Sequence, residues 1–244
     1  VTAHSPGSPG SPGFRPSERA AVADGGPDQR VGSGDEPSVV ALELEVLPEI
    51  SERGPRIRVK QALDIRLGSR GVTALLGPNG AGKSVLLAAA AGLEEIAQVR
   101  LHWASPPAQP PIMALQYPEL QVFEELVADE LVFAAVARGL DRSVALAAAA
   151  NHLQDMGFDP EVMLSRRTWT LSTGEKRLVE VIGALIAPSS LVLLDEPTAG
   201  LDAGRRAALA RLVECRSGSD PVLVASQDLD WIGMTRARCF RLGY

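Results

Sequence analysis

A short glycine-rich stretch constrains this chain more than any other feature. It consists of Gly77, Pro78, Asn79, Gly80, Ala81, Gly82, Lys83 and Ser84. The apolar run Val72–Leu76 precedes it, and the apolar residues 85–90, which favour a helix, follow it. Glycines let the backbone curl so that successive N–H groups point at one anion, and the helix adds the positive end of its dipole. This order of strand, loop and helix predicts a phosphate-binding loop.

Two adjacent carboxylates predict the chemistry that accompanies such a loop. The apolar residues 191–194 end at Asp195 and Glu196. We expect Asp195 to coordinate Mg²⁺ and Glu196 to polarise a water for attack on a γ-phosphate. In the loop, Lys83 supplies charge to the β- and γ-phosphates, and the Ser84 hydroxyl is placed to ligate Mg²⁺. A glycine turn and an acidic turn that bind nothing are the plainer interpretation, which the presence of both features in one chain disfavours.

Composition excludes several other classes of protein. A chain of 244 residues with 45% apolar content can bury one sizeable core, with room for a small subdomain. The net charge of −6 gives no support to nucleic-acid binding. No apolar run approaches the roughly 18 residues that span a bilayer, so we expect a soluble chain whose membrane role, if it has one, comes through a partner. The two cysteines, Cys215 and Cys239, fit a reducing compartment and neither a zinc site nor a disulfide framework.

Composition also divides the chain. Residues 1–38 are rich in Pro, Gly and Ser, with no apolar periodicity, and predict a disordered tail that is not a secretory signal. An organellar transit remnant is a weaker alternative. An ordered domain is expected over residues 39–244, with strands at 39–46, 57–59, 63–67, 72–76, 112–115, 191–194, 222–225 and 239–242. A Pro-rich connection is expected between Gly92 and residue 112.

Helical periodicity marks an insertion between two of these strands. Val127, Leu131 and Ala135 form the buried stripe of a first expected helix. A second helix would bury one stripe and end at Gly157; the stripe comprises Val144, Leu146, Ala150, Leu153 and Met156. We expect this helical subdomain to cover about residues 117–172. Further helices are expected at 178–186 and 203–216.

Several motifs in addition to the loop resemble those of one family, the ATPases of ATP-binding-cassette (ABC) transporters. Residues 171–175 resemble its LSGGQ signature, and residues 77–84 and 191–196 resemble its Walker A and Walker B motifs. Residues 199–202 match its D-loop, and Gln116 stands at its Q-loop glutamine. The resemblance implies an α/β P-loop NTPase of ABC type, with a RecA-like parallel-sheet core, an antiparallel β layer and an inserted α-helical subdomain.

The same resemblance assigns the candidate site of an ATPase that uses ATP and Mg²⁺. The nucleotide-binding residues are Gly77, Asn79, Gly80, Ala81, Gly82, Lys83, Ser84, Ser172, Gly174 and Asp202. Glu196, Gln227 and Gln116 take the catalytic positions, and Ser84, Gln116 and Asp195 the metal positions.

A narrower likeness lies in residues 115–125, which are similar to the Q-loop of energy-coupling-factor importers of vitamins and transition-metal ions. It implies two ATPases clamped on a membrane scaffold protein at the inner face of the cell membrane, with the plastid stroma as an alternative location. The scaffold would contact the Q-loop region. The plainer interpretation of residues 121–126 is an ordinary amphipathic helix start.

Three departures from the family pattern bear on activity. Gln227 stands at the switch histidine, and an amide cannot share a proton as imidazole does. Thr173 replaces a signature glycine and restricts the backbone there. No aromatic residue occurs between Phe14 and Trp103, so the family's adenine-stacking ring is missing or replaced by aliphatic side chains, which predicts weak ATP binding or little selectivity for the base. Gln227 predicts slowed hydrolysis, and Gln227 and Thr173 together favour a heterodimer with a less altered ATPase over a homodimer. A regulatory or assembly module of ABC fold and an ATPase of another ABC transporter remain alternatives.

Overall fold

The structure is a computed structural model that describes residues 40–48, 57–59, 61–117, 119 and 121–243. The predicted tail at residues 1–38 lies outside the described residues. Of the helices in these ranges, none has the length and apolar character needed to cross a membrane.

A five-stranded parallel sheet forms the centre of the fold, with strand order β5-β6-β7-β3-β8. Its strands are β3 (Val72–Leu76), β5 (Ile112–Ala114), β6 (Val192–Asp195), β7 (Val222–Ala225) and β8 (Arg238–Arg241). β3, β6 and β7 are buried along their whole length, as continuous apolar runs are when helices cover both faces of a sheet. All pairings are parallel, so the carboxyl ends of the strands meet at one edge.

A three-stranded antiparallel sheet covers one side of this core, with order β2-β1-β4. It consists of β1 (Val40–Val46), β2 (Leu63–Gly68) and β4 (Val99–Trp103). Leu42, Leu44 and Val46 are fully buried, and the glutamates between them pair with arginines on the neighbouring strands. The alternation of β1 therefore buries one face, as predicted.

Two expectations about this layer are wrong. Residues 57–59 form no strand: the N–H of Arg58 donates to the Ala81 carbonyl at 2.9 Å, and its carbonyl accepts from Gly243 at 2.8 Å. The segment therefore forms its hydrogen bonds with the phosphate loop, with Gly243 after the last strand and, through Ile57, with the Gln98 side chain. β4 lies in the stretch interpreted as a connection. Its alternate residues are only partly buried, which weakens the periodic signal.

Seven helices complete the described part of the fold. α1 (Lys83–Ala90), α5 (Thr173–Ile186), α6 (Ala203–Ser217) and α7 (Leu229–Met234) alternate with the parallel strands. α2 (Val127–Ala137), α3 (Arg142–Asp155) and α4 (Pro160–Leu164) lie between β5 and α5 in the chain. The α/β fold with parallel core, antiparallel layer and inserted helices is confirmed.

The helices between β5 and α5 pack largely as their periodicity predicts, with one correction. Val127, Leu131 and Ala135 are buried in α2. Of the predicted stripe of α3, Leu153 and Met156 are buried, Leu146 and Ala150 are only partly buried, and Val144 is 54% exposed. The buried residues within the helix are Ala145, Ala149 and Leu153. Small alanine side chains let α3 approach its neighbours closely, so the alanines rather than the larger Val144 turn inward. The sequence did not indicate α4 or α7.

Candidate nucleotide site

The phosphate loop needs glycine at particular positions. Gly77 has a φ of 148°, and a Cβ added there would lie 2.3 Å from the Leu242 carbonyl oxygen, which excludes any other residue. Gly80 and Gly82 have φ of 75° and 93°, the left-handed region that glycine adopts without strain. Gly82 is also the residue that precedes α1, so the loop turns directly into the start of that helix.

Lys83 folds back across the loop that it ends. Its Nζ donates to the carbonyl oxygens of Gly77 at 2.9 Å and Pro78 at 3.3 Å, and it lies 3.9 Å from Glu196 Oε1. The side chain is 7% exposed. A buried ammonium is stable only when it is paired in this way. The lysine is therefore held at the centre of the loop, next to the carboxylate expected to act on water.

Asp195 ends β6 beside this lysine and is buried. Burial raises its pKa, the Ser84 side chain opposes that rise, and the neighbouring Glu196 charge adds to it. Its Oδ1 has no hydrogen-bond partner among the described residues. A buried acceptor without a donor, next to a serine hydroxyl, is the oxygen-rich setting that Mg²⁺ prefers. The residues present therefore fit a magnesium ion.

Glu196 and Gln227 face each other across the mouth of the loop. Glu196 Oε2 accepts from the Ser226 hydroxyl and the Gln227 N–H, both at 3.3 Å. The Gln227 side-chain amide donates to Glu196 Oε1 at 3.4 Å and, through a short hydrogen bond, to Asn79 Oδ1. Gln227 thus bridges the phosphate loop and the carboxylate, at the position where the family pattern has histidine. Its catalytic role remains a prediction.

These residues surround one cavity of about 200 Å³. Its lining comprises Asn79, Gly80, Gly82, Lys83, Ser84, Val85, Gln116, Asp195 and Glu196. Gln116 reaches it from the segment after β5, and the two acids reach it from the end of β6. Ala81 lies beneath the loop, buried, with its N–H turned to the Pro78 carbonyl. The sequence-predicted phosphate and acid residues therefore come together.

The predicted signature residues lie outside this cavity. Ser172 caps α5: its hydroxyl accepts from the Glu175 N–H at 3.3 Å, and its own N–H donates to Glu175 Oε2 at 2.8 Å. Partial burial would raise the pKa of Glu175, but the Arg166 guanidinium 2.5 Å away and the Ser172 groups outweigh it and lower the pKa to about 2. Thr173 is the exposed first residue of the helix.

The D-loop residues adjoin the signature. A Cβ added to Gly174 would lie 3.3 Å from the Gly200 carbonyl oxygen, so the two glycines pack closely. Asp202 caps α6 by accepting from the Arg205 N–H at 2.9 Å, and its side chain is exposed. Ser172, Gly174 and Asp202 therefore form a second surface, and their nucleotide contacts remain a prediction.

Sequence reasoning missed two side chains at the site. Ser226 is fully buried and donates to Glu196, and Arg177 contacts the backbone at both Gln116 and Glu196. A polar residue just after a buried strand was the available signal for Ser226. Nothing in the sequence separates Arg177 from a surface arginine.

The fold and this cavity define a P-loop nucleotide-binding domain. The sequence profile of the ABC transporter family matches residues 61–199, more than half of the chain. The chain therefore belongs to the ABC transporter family, and the predicted resemblance to its ATP-binding, ATPase subunits is confirmed.

Individual relatives narrow the comparison. The chain is 31% identical over 179 residues to a putative ABC transporter ATP-binding protein of Gloeobacter violaceus, covering 70% of this chain and 72% of that one. It is 31% identical over 153 residues to an energy-coupling factor transporter ATP-binding protein of Bacillus thuringiensis, covering 57% of this chain but only about half (52%) of the relative. Among solved structures, cbiO1 of Clostridium perfringens, part of the cbiONQ transporter complex, is 25% identical with a TM-score of 0.64, covering 84% and 85% of the two chains.

Proposed function

We propose that this chain is the ATP-hydrolysing subunit of an energy-coupling-factor-type importer that takes up a micronutrient, a vitamin or a transition-metal ion. One observation carries the hydrolytic part: Lys83, Asp195 and Glu196 line the same cavity as the phosphate loop. A module that only binds nucleotide has no need of the second carboxylate. The importer type is supported by the similarity to an energy-coupling factor ATP-binding protein and to cbiO1.

The geometry supports a division of labour in hydrolysis. The loop N–H groups and Lys83 bind the phosphates of ATP, and Glu196 accepts a proton from the attacking water. Gln227 and Ser226 hold that carboxylate by hydrogen bonds. Ser84, Asp195 and Gln116 are the residues that would hold Mg²⁺, which neutralises phosphate charge when bound. Because the Gln227 amide cannot take up and release a proton near neutral pH as imidazole can, turnover is slower than with histidine.

The separate positions of the signature residues and the phosphate cavity support a pairing of two ATPases. Ser172, Gly174 and Asp202 lie outside the phosphate cavity, so they would serve the cavity of a second chain. In a homodimer both sites would contain Gln227 and Thr173. In a heterodimer each site would contain one of these departures, and the partner ATPase would supply the intact counterpart. We therefore favour a heterodimer.

A membrane partner would bind beside the Q-loop. Three aromatic side chains near this segment are largely exposed: Tyr117, Phe123 and Trp169. Phe123 and Trp169 line one open cavity, and exposed aromatic rings are typical of protein interfaces. The chain would then lie on the inner face of the cell membrane, held by this partner.

A regulatory or assembly module of ABC fold is the second candidate. The hydrogen bonds of Gln227 to Asn79 and Glu196 favour it, because they tie the phosphate loop to the carboxylate through an amide that does not transfer protons. An ATPase of another ABC transporter is the alternative within transport.

The substitution Glu196→Gln tests the hydrolytic role. In the complex purified from native cells, we expect kcat to fall at least about 100-fold while ATP stays bound, because the amide cannot accept the proton. Glu94→Gln, at an exposed position away from the cavity, is the matched control and should leave turnover unchanged. Unchanged turnover in Glu196→Gln would favour the regulatory module.

Gentle detergent purification of the tagged chain tests the transport role and the heterodimer. A polytopic membrane protein and a second ABC ATPase should copurify with it. Recovery of the chain with soluble proteins alone would contradict transport. Full, family-like turnover of the purified chain as a homodimer would contradict the heterodimer.

A further inference from the structure

Arg177 is an arginine in an unusual place, the buried face of α5. It is 7% exposed and shares a stripe at four-residue spacing with Val181 and Leu185, both buried. A guanidinium has five N–H donors and cannot be deprotonated, so burial is tolerated only when acceptors surround it. The acceptors that Arg177 uses are therefore informative.

Two of them are backbone carbonyls on neighbouring strand ends. Nη1 donates to the Glu196 carbonyl oxygen at 2.7 Å, and Nη2 donates through a short hydrogen bond to the Gln116 carbonyl oxygen. Gln116 follows β5 and Glu196 follows β6, two strands that pair in parallel. One planar guanidinium thus joins the two segments that bring Gln116 and Glu196 to the cavity.

The backbone of Glu196 needs such support. Its φ is 46°, in the left-handed region that a residue with a Cβ adopts only with backbone strain. Its carbonyl accepts from Arg177 and from the Ala199 N–H at 3.2 Å, and its own N–H donates to the Ala225 carbonyl at 2.8 Å. Removing the strongest donor would let the residue relax, and its carboxylate would move with it.

We propose that Arg177 is the positioning residue that holds the Glu196 carboxylate in line for hydrolysis and couples it to the Gln116 segment. A displacement of the Gln116 segment, whose exposed aromatic neighbours form the proposed partner surface, is transmitted by the guanidinium to Glu196. Arg177 itself lines no part of the nucleotide cavity. The inference rests on the proposed function, because ATP hydrolysis is the reaction that Glu196 serves.

The substitution Arg177→Lys tests this role with little loss of packing. Lysine keeps the charge and the aliphatic stem but has no planar fork to reach both carbonyls. In the purified complex we expect kcat to fall roughly 10–100-fold, with the KM for ATP within about twofold, because only the position of the carboxylate changes. Arg138→Lys is the matched control: Arg138 also donates to carbonyls of separate segments, at Pro110, Pro111 and Pro188, but outside the cavity. It should leave both constants unchanged.

Amide hydrogen exchange on the chain gives a readout that needs no hydrolysis. Arg177→Lys should speed exchange in residues 115–117 and 196–201 and leave α1 unchanged, whereas Arg138→Lys should not affect these segments. A raised KM with unchanged kcat, or faster exchange throughout the domain, would overturn the inference. If the wild-type complex proves inactive, the proposed function fails, and the exchange pattern still decides the role of Arg177.

Discussion

The phosphate-loop side and the signature side of this chain are built in different ways. On the first side Lys83 and Asp195 are buried. Lys83 donates to the loop carbonyl of Gly77 and lies beside Glu196, and Gln227 donates to the same carboxylate. On the second side Ser172 and Asp202 are exposed, and their side chains satisfy the N–H groups that begin α5 and α6. The phosphate side is therefore organised within one chain. Within one chain, the signature side consists of two capped helix ends, and its described residues form no cavity with the phosphate loop.

The largest expected effect is a loss of ATP binding when the lysine on the phosphate-loop side, Lys83, is replaced. Lys83→Met should weaken ATP binding by the chain at least about 100-fold, because it removes a charged donor from the phosphates and leaves two loop carbonyls without their partner. Titration of the purified chain with a fluorescent ATP analogue measures it.

Lys176→Met is the matched control on the other side. Lys176 lies in the first turns of α5, near Trp169 and Phe123, and takes no part in the phosphate cavity. Binding by the single chain should stay within about twofold of the wild type. Equal losses of ATP binding in the two variants would contradict the distinction between a phosphate side that is organised within one chain and a signature side that is not.

A smaller effect is expected at Gln227, on the phosphate side. Gln227→His should raise kcat about tenfold with little change in KM, because imidazole can share a proton where the amide only holds Glu196 and Asn79. Steady-state hydrolysis by the complex measures this. Gln154→His, on the exposed surface of α3, is the control. An unchanged or lower kcat would show that the hydrogen bonds of the Gln227 amide are sufficient and that hydrolysis does not require proton sharing at this position.

The same contrast explains how much the sequence could predict. The phosphate loop follows a strict local pattern, and the order of strand, loop and helix was enough to predict the position of Lys83. The apolar run that ends in two adjacent carboxylates predicted Asp195 and Glu196, which line the same cavity. Residues 57–59 misled because burial of Ile57 and Val59 mimics a strand. Their hydrogen-bond partners are Ala81 of the phosphate loop, the Gln98 side chain and Gly243, which are distant in sequence.

Long-range contacts also explain why the sequence did not predict the hydrogen bonds of Arg177 or which face of α3 is buried. An arginine followed by apolar residues fits an exposed helix face as well as a buried one, and its acceptors are 19 and 61 residues away. Val144 was placed inward by its apolar character alone. The buried face of α3 instead carries the small residues Ala145 and Ala149, which allow close packing. The sequence carries no signal for how closely two helices approach.

The smallest expected effect lies at the signature side, at Glu175. Its pKa is lowered to about 2, so the stability that its ionised form contributes is fully present above its usual value and is lost as pH falls through about 2. Glu175→Gln keeps a capping side chain but removes the charge paired with Arg166. Because that pair is partly exposed and screened, the variant should lose only about 1 kcal/mol in the free energy of unfolding at pH 7.

Urea unfolding of the two proteins at several pH values and salt concentrations measures this difference. The difference in stability should shrink as pH falls below about 4 and as salt is added, because both changes weaken a partly exposed ion pair. A gap that persists at low pH and high salt would mean that Glu175 acts through packing. The signature side would then resemble the buried phosphate side, and the contrast between an organised cavity and a surface held by exposed caps would fail.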